Sequence, residues 1–166
     1  MYGNYATTED TPTLMFERWL SHPVDRVWSA ITERDELGRW FPSKVVVDEL
    51  AAGAEMTFEF EDMPLDAPST MTGRVTDFEP PRLFAFTWGE DHLRFELDPV
   101  ESGCTLRLTV ALGTRDKAAR DAAGWHVCLD RLEEQLGGRG AGGEWGDYYD
   151  EYQRRGVPAG APIPGE

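Results

Sequence analysis

The chain has 166 residues and is 40% hydrophobic, with six Trp and eight Phe. That composition excludes intrinsic disorder and supplies one domain with a real core. The formal net charge of −15 repels polyanions, so nucleic acid and anionic membrane surfaces are poor partners.

Residues 1–12 are polar and read as a flexible lead, without a basic-then-apolar signal sequence. Residues 14–20, LMFERWL, read as a strand. Ser21-His22-Pro23 ends it, and Pro23 suits a helix start. Val24, Val27, Trp28 and Ile31 stand at offsets 0, 3, 4 and 7, which predicts a short amphipathic helix. Asp35 to Trp40 predicts a second, with Leu37, Trp40 and Phe41 as its apolar side and Pro42 as its stop. A run of strands follows. Lys44 to Leu50 is β-branched, and Ala51-Ala52-Gly53 is a turn. Met56, Phe58 and Phe60 alternate with polar residues in a half-buried strand pattern. Residues 61–69 read as an acidic, Pro-containing loop. Met71 to Phe78 is a strand pattern interrupted by Gly73, and Pro80-Pro81 marks a turn. Phe84, Phe86 and Trp88 alternate, as do Leu93, Phe95 and Leu97, with Gly89-Glu90-Asp91 turning between them. After Ser102-Gly103, Cys104, Leu106, Leu108, Val110 and Leu112 form the longest alternation.

Residues 118–137 carry the longest helical pattern. Trp125, Leu129, Leu132 and Leu136 fall at offsets 0, 4, 7 and 11, one stripe of a helix. Asp130, Arg131, Glu133 and Glu134 lie opposite, and Gly137-Gly138 ends the pattern. Residues 138–143 read as a link, and 144–155 as a short helix packed on the domain. Residues 156–166 read as a disordered tail. Strands joined by short turns pair antiparallel, and a meander with one apolar face needs a cover. The fold class is therefore α+β. A curved antiparallel sheet of about six to seven strands wraps a long C-terminal helix. Two short helices follow the first strand.

Trp125, Leu129 and Leu132 face the sheet in this arrangement. With Trp28, Trp40, Phe58, Phe60, Phe84, Phe86, Trp88 and Phe95 they either line a ligand cavity or fill a solid core. Flat rings suit planar or acyl ligands. Gly124 costs up to ~1 kcal/mol in a helix interior, so a bend or a close backbone approach is expected there. His126 is either a general acid/base at the cavity edge or a partly exposed histidine at the rim. Arg18, Arg94 and Glu96 are charges inside strand patterns. They face either the cavity or the exposed side of the sheet, and Arg94 and Glu96 join His126 as weak catalytic candidates. His22 and His92 read as surface residues. Cys104 and Cys128 read as small buried thiols of a reducing compartment. No metal spacing, nucleophile motif or nucleotide motif occurs, so no metal or cofactor is implied. No apolar run approaches the ~20 residues of a membrane span, and a cytoplasmic protein is the default expectation.

The segment PVDRVWSAITERDELGRWFP resembles the opening helix pair of the START-like helix-grip (SRPBCC) superfamily, a group that includes polyketide cyclase/dehydrase-related proteins. GWHVCLDRLEEQLGG resembles the terminal helix of one branch of it. That branch is similar to the C-terminal domain of the activator of the ninety-kilodalton heat-shock protein's ATPase. The resemblance covers roughly residues 13–155. It implies a helix-grip fold over residues 13–137 and an apolar cavity between the sheet and the last helix. Three functions follow from it as expectations: binding of a small hydrophobic molecule such as a lipid or polyketide, a chaperone-partner or homodimer-forming interaction module, or a cyclase-like enzyme. The aromatic segment Trp145 to Tyr152 is the candidate contact for the second.

Overall fold

The computed structural model describes residues 1–61, 63, 68–140 and 142–163. Eight strands form one antiparallel sheet: β1 (Asn4–Thr8), β2 (Thr11–Leu20), β3 (Lys44–Val46), β4 (Glu55–Glu59), β5 (Thr70–Glu79), β6 (Leu83–Trp88), β7 (Asp91–Val100) and β8 (Gly103–Ala111). Their order is β1-β2-β8-β7-β6-β5-β4-β3. Two short helices, α1 (Val24–Thr32) and α2 (Arg34–Trp40), carry the chain from β2 to the opposite edge of the sheet. A long helix α3 (Ala118–Gln135) and a short α4 (Trp145–Arg154) follow. This is a helix grip. Most of the expected 61–69 loop lies outside the described residues.

The sheet has more strands than the six to seven expected, because residues 1–12 are not a loose lead. They form a hairpin in which Thr8 faces Thr11 and Asn4 faces Met15. Glu9 and Asp10 take φ of 49° and 65° in its two-residue turn. Positive φ at both positions is the geometry that Asn-Gly usually marks, and an acidic pair conceals it. The interruption at Gly73 is a close crossing of strands: a Cβ there would collide with the Thr87 carbonyl. A bulge between Val75 and Asp77 breaks the register with β6 and bends the sheet around α3.

The end of the chain is also ordered as far as residue 163. Helix α3 has no side-chain N-cap, so its first N–H groups need other acceptors. The Ala119 N–H donates to the Pro158 carbonyl at 2.8 Å, and the Ala161 N–H donates to the Asp116 carbonyl at 3.2 Å. Val157 is buried. The expectation of a disordered tail is corrected for these residues, while 164–166 lie outside those described.

Helix α3 is covered on two sides. Ala118, Ala119, Ala122 and Ala123 are fully buried, and their size permits close packing. Asp130 is buried too, contrary to its expected place on a solvent face. It lies in a polar network under α4. Arg18 points inward from β2 at 4% exposure, so it is not on the exposed sheet face. Its Nε lies 2.9 Å from Glu133 Oε1, and its Nη2 lies 3.9 Å from Asp130 Oδ1. The Tyr148 hydroxyl donates to Asp130 Oδ2 at 2.5 Å. His126 stacks on Tyr148 with centroids 3.8 Å apart, and its Nδ1 shares a 2.9 Å hydrogen bond with the Tyr152 hydroxyl. The Gly3 N–H donates to that same oxygen at 2.9 Å. Tyr2 packs edge-on to His126, and the Arg155 guanidinium caps the Tyr2 ring at 4.0 Å.

His126 is therefore neither a rim residue nor at a cavity edge; it is 1% exposed. Burial holds its pKa down at about 4, against the upward pull of the Asp130 carboxylate. Arg18 and Arg155 also lower it. Burial and the bond to Asp130 push the Tyr148 hydroxyl up to about 12. A depressed histidine pKa means that the folded chain resists a proton the unfolded chain accepts near 6.5. The stability tied to neutral His126 is complete above about pH 6.5 and is lost as pH falls towards 4, by on the order of 3 kcal/mol. Denaturant unfolding at pH 7 and pH 5 should show a steeper loss for the native chain than for His126→Phe. Equal losses would assign the acid sensitivity to another group.

Candidate functional site

The inner face of the sheet is aromatic along its length, and most of it is filled. Trp40 is wholly buried, 5.9 Å from Phe95, and its indole N–H donates to the Ala30 carbonyl at 2.8 Å. Phe58 stacks on Phe86 at 5.9 Å, and Phe86 lies 4.9 Å from Phe84 and 6.2 Å from Phe95. Trp28 sits between Phe78 and Phe84. Leu129 and Leu132 are 1% exposed. Rings in edge-on and offset contact at these spacings leave no room between them. Trp40, Phe58, Phe84, Phe86, Phe95, Leu129 and Leu132 are buried in the core and Trp28 packs, partly buried, against it; none of them lines the cleft beside α3.

The packing opens at one end of α3. A cleft of about 550 Å³ lies there. Its apolar wall is made by Phe60, Met71, Trp88, Trp125, Trp145 and Ile163. Phe60, Trp88 and Trp125 are thus the sequence-predicted residues that meet in one open space. Trp125 packs against Phe41 and Trp88, with centroids 5.6 and 5.9 Å away. Trp145, the first residue of α4, stacks on Tyr149 at 4.9 Å. Tyr148 and Tyr152 of the same helix turn inward onto α3, so most of the aromatic segment considered as a dimer contact is used within the chain.

Gly124 lies in the wall of the cleft. Helix α3 is continuous through it, and a Cβ at this position would meet nothing within 4 Å. The expected close backbone approach is absent; the space beside Gly124 is the cleft itself. Cys128 also lines it. Burial pushes its thiol up to about 12, so it is held protonated and is not a nucleophile.

The remaining side of the cleft is polar. Asp91 is 3% exposed, and its Oδ1 accepts the Gly113 N–H at 2.8 Å. Lys117 Nζ lies 2.7 Å from that oxygen and 3.6 Å from Asp121 Oδ2. Arg120 donates from Nε to Asp121 Oδ1 at 2.8 Å and from Nη1 to the Pro162 carbonyl at 3.0 Å. Burial pushes the Asp121 carboxyl above its ordinary pKa, although Arg120 and Lys117 pull it down. Lys117, Asp121, Gly124, Trp125 and Cys128 follow one another at helical spacing. The Trp125 stripe therefore extended backwards in the sequence through polar residues, and an apolar pattern alone does not reveal that continuation.

The three proton-transfer candidates lie elsewhere. His126 is sealed under α4. Arg94 and Glu96 pair with each other at 2.6 Å on the outer face of the sheet, where Arg107 also reaches Glu96. Among the described residues no group of His, Cys, Asp or Glu is placed to hold a metal ion. No helix among them is long and apolar enough to cross a membrane.

Comparison with known proteins adds the lineage. No curated protein matches the sequence. Among solved structures, a conserved protein of unknown function from Enterococcus faecalis, EF2215, superposes with a TM-score of 0.76 at 21% identity. The match spans 92% of this chain and 89% of that one. CalU16 from Micromonospora echinospora gives 0.68 at 20% identity over 92% of each chain. A Bordetella parapertussis protein, BPP1335, gives 0.67 at 26% identity, covering 93% of this chain and 92% of its own. The family model described as "Activator of Hsp90 ATPase homolog 1-like protein" matches residues 21–137. With that span and the helix-grip architecture, the chain belongs to the Hsp90 ATPase activator homolog 1-like family of START-like (SRPBCC) proteins.

Proposed function

We propose that this protein binds a small hydrophobic molecule, such as a lipid, polyketide or other flat apolar compound, in the cleft between α3 and the sheet. The observation that carries this reading is the cleft of about 550 Å³ with its aromatic wall at Gly124. That volume lies within the few hundred to ~1,000 Å³ typical of small-molecule sites, which pair an apolar lining with a few placed polar groups. Four aromatic rings, Phe60, Trp88, Trp125 and Trp145, face this space. Filling it with water alone would leave their apolar surface hydrated, and a ligand removes that cost. An enzyme of the cyclase kind would have to use Asp91 or Asp121, the acids that line the cleft, since His126, Arg94 and Glu96 are not among its lining residues.

Titration with N-phenyl-1-naphthylamine, a neutral fluorescent probe, tests the reading. Saturable one-to-one binding is expected, with quenching of tryptophan emission. Gly124→Phe, which puts a ring into the cleft, should weaken binding by at least about tenfold, a loss of ~1.4 kcal/mol. Gly124→Ala should leave binding nearly unchanged and raise helix stability by up to ~1 kcal/mol. Absence of saturable binding, or full affinity in Gly124→Phe, would contradict the proposal.

A further inference from the structure

The polar side of the cleft specifies more than general amphipathic character. Asp91, Lys117, Arg120 and Asp121 form a closed set of two carboxylates and two cations. Lys117 is shared between both acids at 2.7 and 3.6 Å, and Arg120 is bound to Asp121 at 2.8 Å. Each charge has its counter-charge inside the set. The Asp91 side chain is only 2% exposed with Lys117 in place. A guanidinium carries five N–H donors, and the two named bonds of Arg120 occupy its Nε and Nη1. Among the described residues the set is thus charge-balanced and still has N–H donors left over beside an aromatic wall.

Resting on the binding site proposed above, we propose that the cleft selects a neutral aromatic ligand bearing a hydroxyl or carbonyl oxygen over an anionic ligand of the same shape. The oxygen accepts a hydrogen bond from the Arg120 N–H groups that have no partner among the described residues, while its rings lie among Trp88, Trp125 and Trp145. A carboxylate ligand brings a third negative charge to two acids already balanced by two cations. It can reach the same N–H groups, but the two cations are already neutralised by Asp91 and Asp121 at 2.7 and 2.8 Å, so the added charge sits beside two carboxylates without a counter-charge of its own. Taking one by breaking such a pair is strongly unfavourable. The net charge of −15 works in the same direction at long range, since it lowers the local concentration of anions.

Three probes of one shape separate the possibilities: naphthalene, 2-naphthol and 2-naphthoate, each displacing N-phenyl-1-naphthylamine at pH 7. A phenolic hydroxyl is neutral at that pH and a carboxylate is ionised. The expected order places 2-naphthol about fivefold tighter than naphthalene, as one added hydrogen bond of ~1 kcal/mol allows. 2-Naphthoate should bind at least tenfold more weakly than 2-naphthol. Arg120→Lys keeps the charge balance but loses the planar fork. It should remove the advantage of 2-naphthol over naphthalene while naphthoate stays the weakest. Naphthoate binding as tightly as naphthol, or naphthol no tighter than naphthalene in the native chain, overturns the proposal. If the probe binds saturably and none of the three displaces it, the binding site stands and the selectivity proposal is overturned; if the probe itself does not bind, the binding site is refuted and the proposal falls with it. The ranking in the native chain is decisive even if the variant fails to fold.

Discussion

Helix α3 must satisfy the sheet on one face and α4 with the N-terminal segment on the other. Its composition reflects both demands. Four buried alanines and the large residues Trp125, Leu129 and Leu132 meet the apolar surroundings. His126 and Asp130 meet the second cover, where a buried carboxylate needs several partners to be tolerated. Arg18, Tyr148 and His126 surround it, His126 in turn bonds the Tyr152 hydroxyl, and the Gly3 N–H ties the start of the chain to that hydroxyl. The hairpin at the N-terminus and the helix at the C-terminus are thus held by one polar cluster. The hairpin is also fixed by the pairing of β2 with β8, whereas α4 docks on α3.

The cleft is a consequence of the same arrangement. The aromatic core is continuous from Trp28 through Phe84, Phe86 and Phe58 to Trp88. It stops where α3 carries glycine in place of a side chain. The segment after α4 then passes the first turn of α3, where the Arg120 guanidinium holds the Pro162 carbonyl and Ile163 joins the wall. An apolar surface and a set of paired charges come to share one space, so the same residues that complete the fold also shape a binding site.

Much of this fold is legible in the sequence because alternation and helical spacing report burial directly. The strand alternations from Met56 to Leu112 and the stripe from Trp125 to Leu136 correspond to β4, β6 to β8 and α3. The hairpin of residues 4–20 was hidden, because Glu9-Asp10 takes a turn geometry that normally announces itself with glycine. Asp130 reads as a solvent-face residue because isolated charges usually are, and Arg18 reads as facing either the cavity or the exposed side of the sheet; only the three-dimensional meeting of β2, α3 and α4 supplies their partners. The site was harder still. Phe86 and Trp88 belong to one alternation, yet one ring is packed and the other borders open space. That difference depends on Gly124, Trp145 and Ile163, which lie far from them in the chain. The charged residues Lys117, Arg120 and Asp121 precede the apolar stripe, and their shared side of the cleft emerges only once α3 is seen as a single helix.

The claim at the centre of this account is that the open end of α3 is a ligand site. A 1H–15N NMR titration with N-phenyl-1-naphthylamine addresses it most directly. The account predicts that the Gly124, Trp125 and Cys128 amides and the Trp88 and Trp145 indole N–H signals move together and saturate. Signals of Arg94, Glu96 and Arg107 on the outer face should stay in place. Saturating shifts confined to that outer face, or no shift at α3, would contradict it.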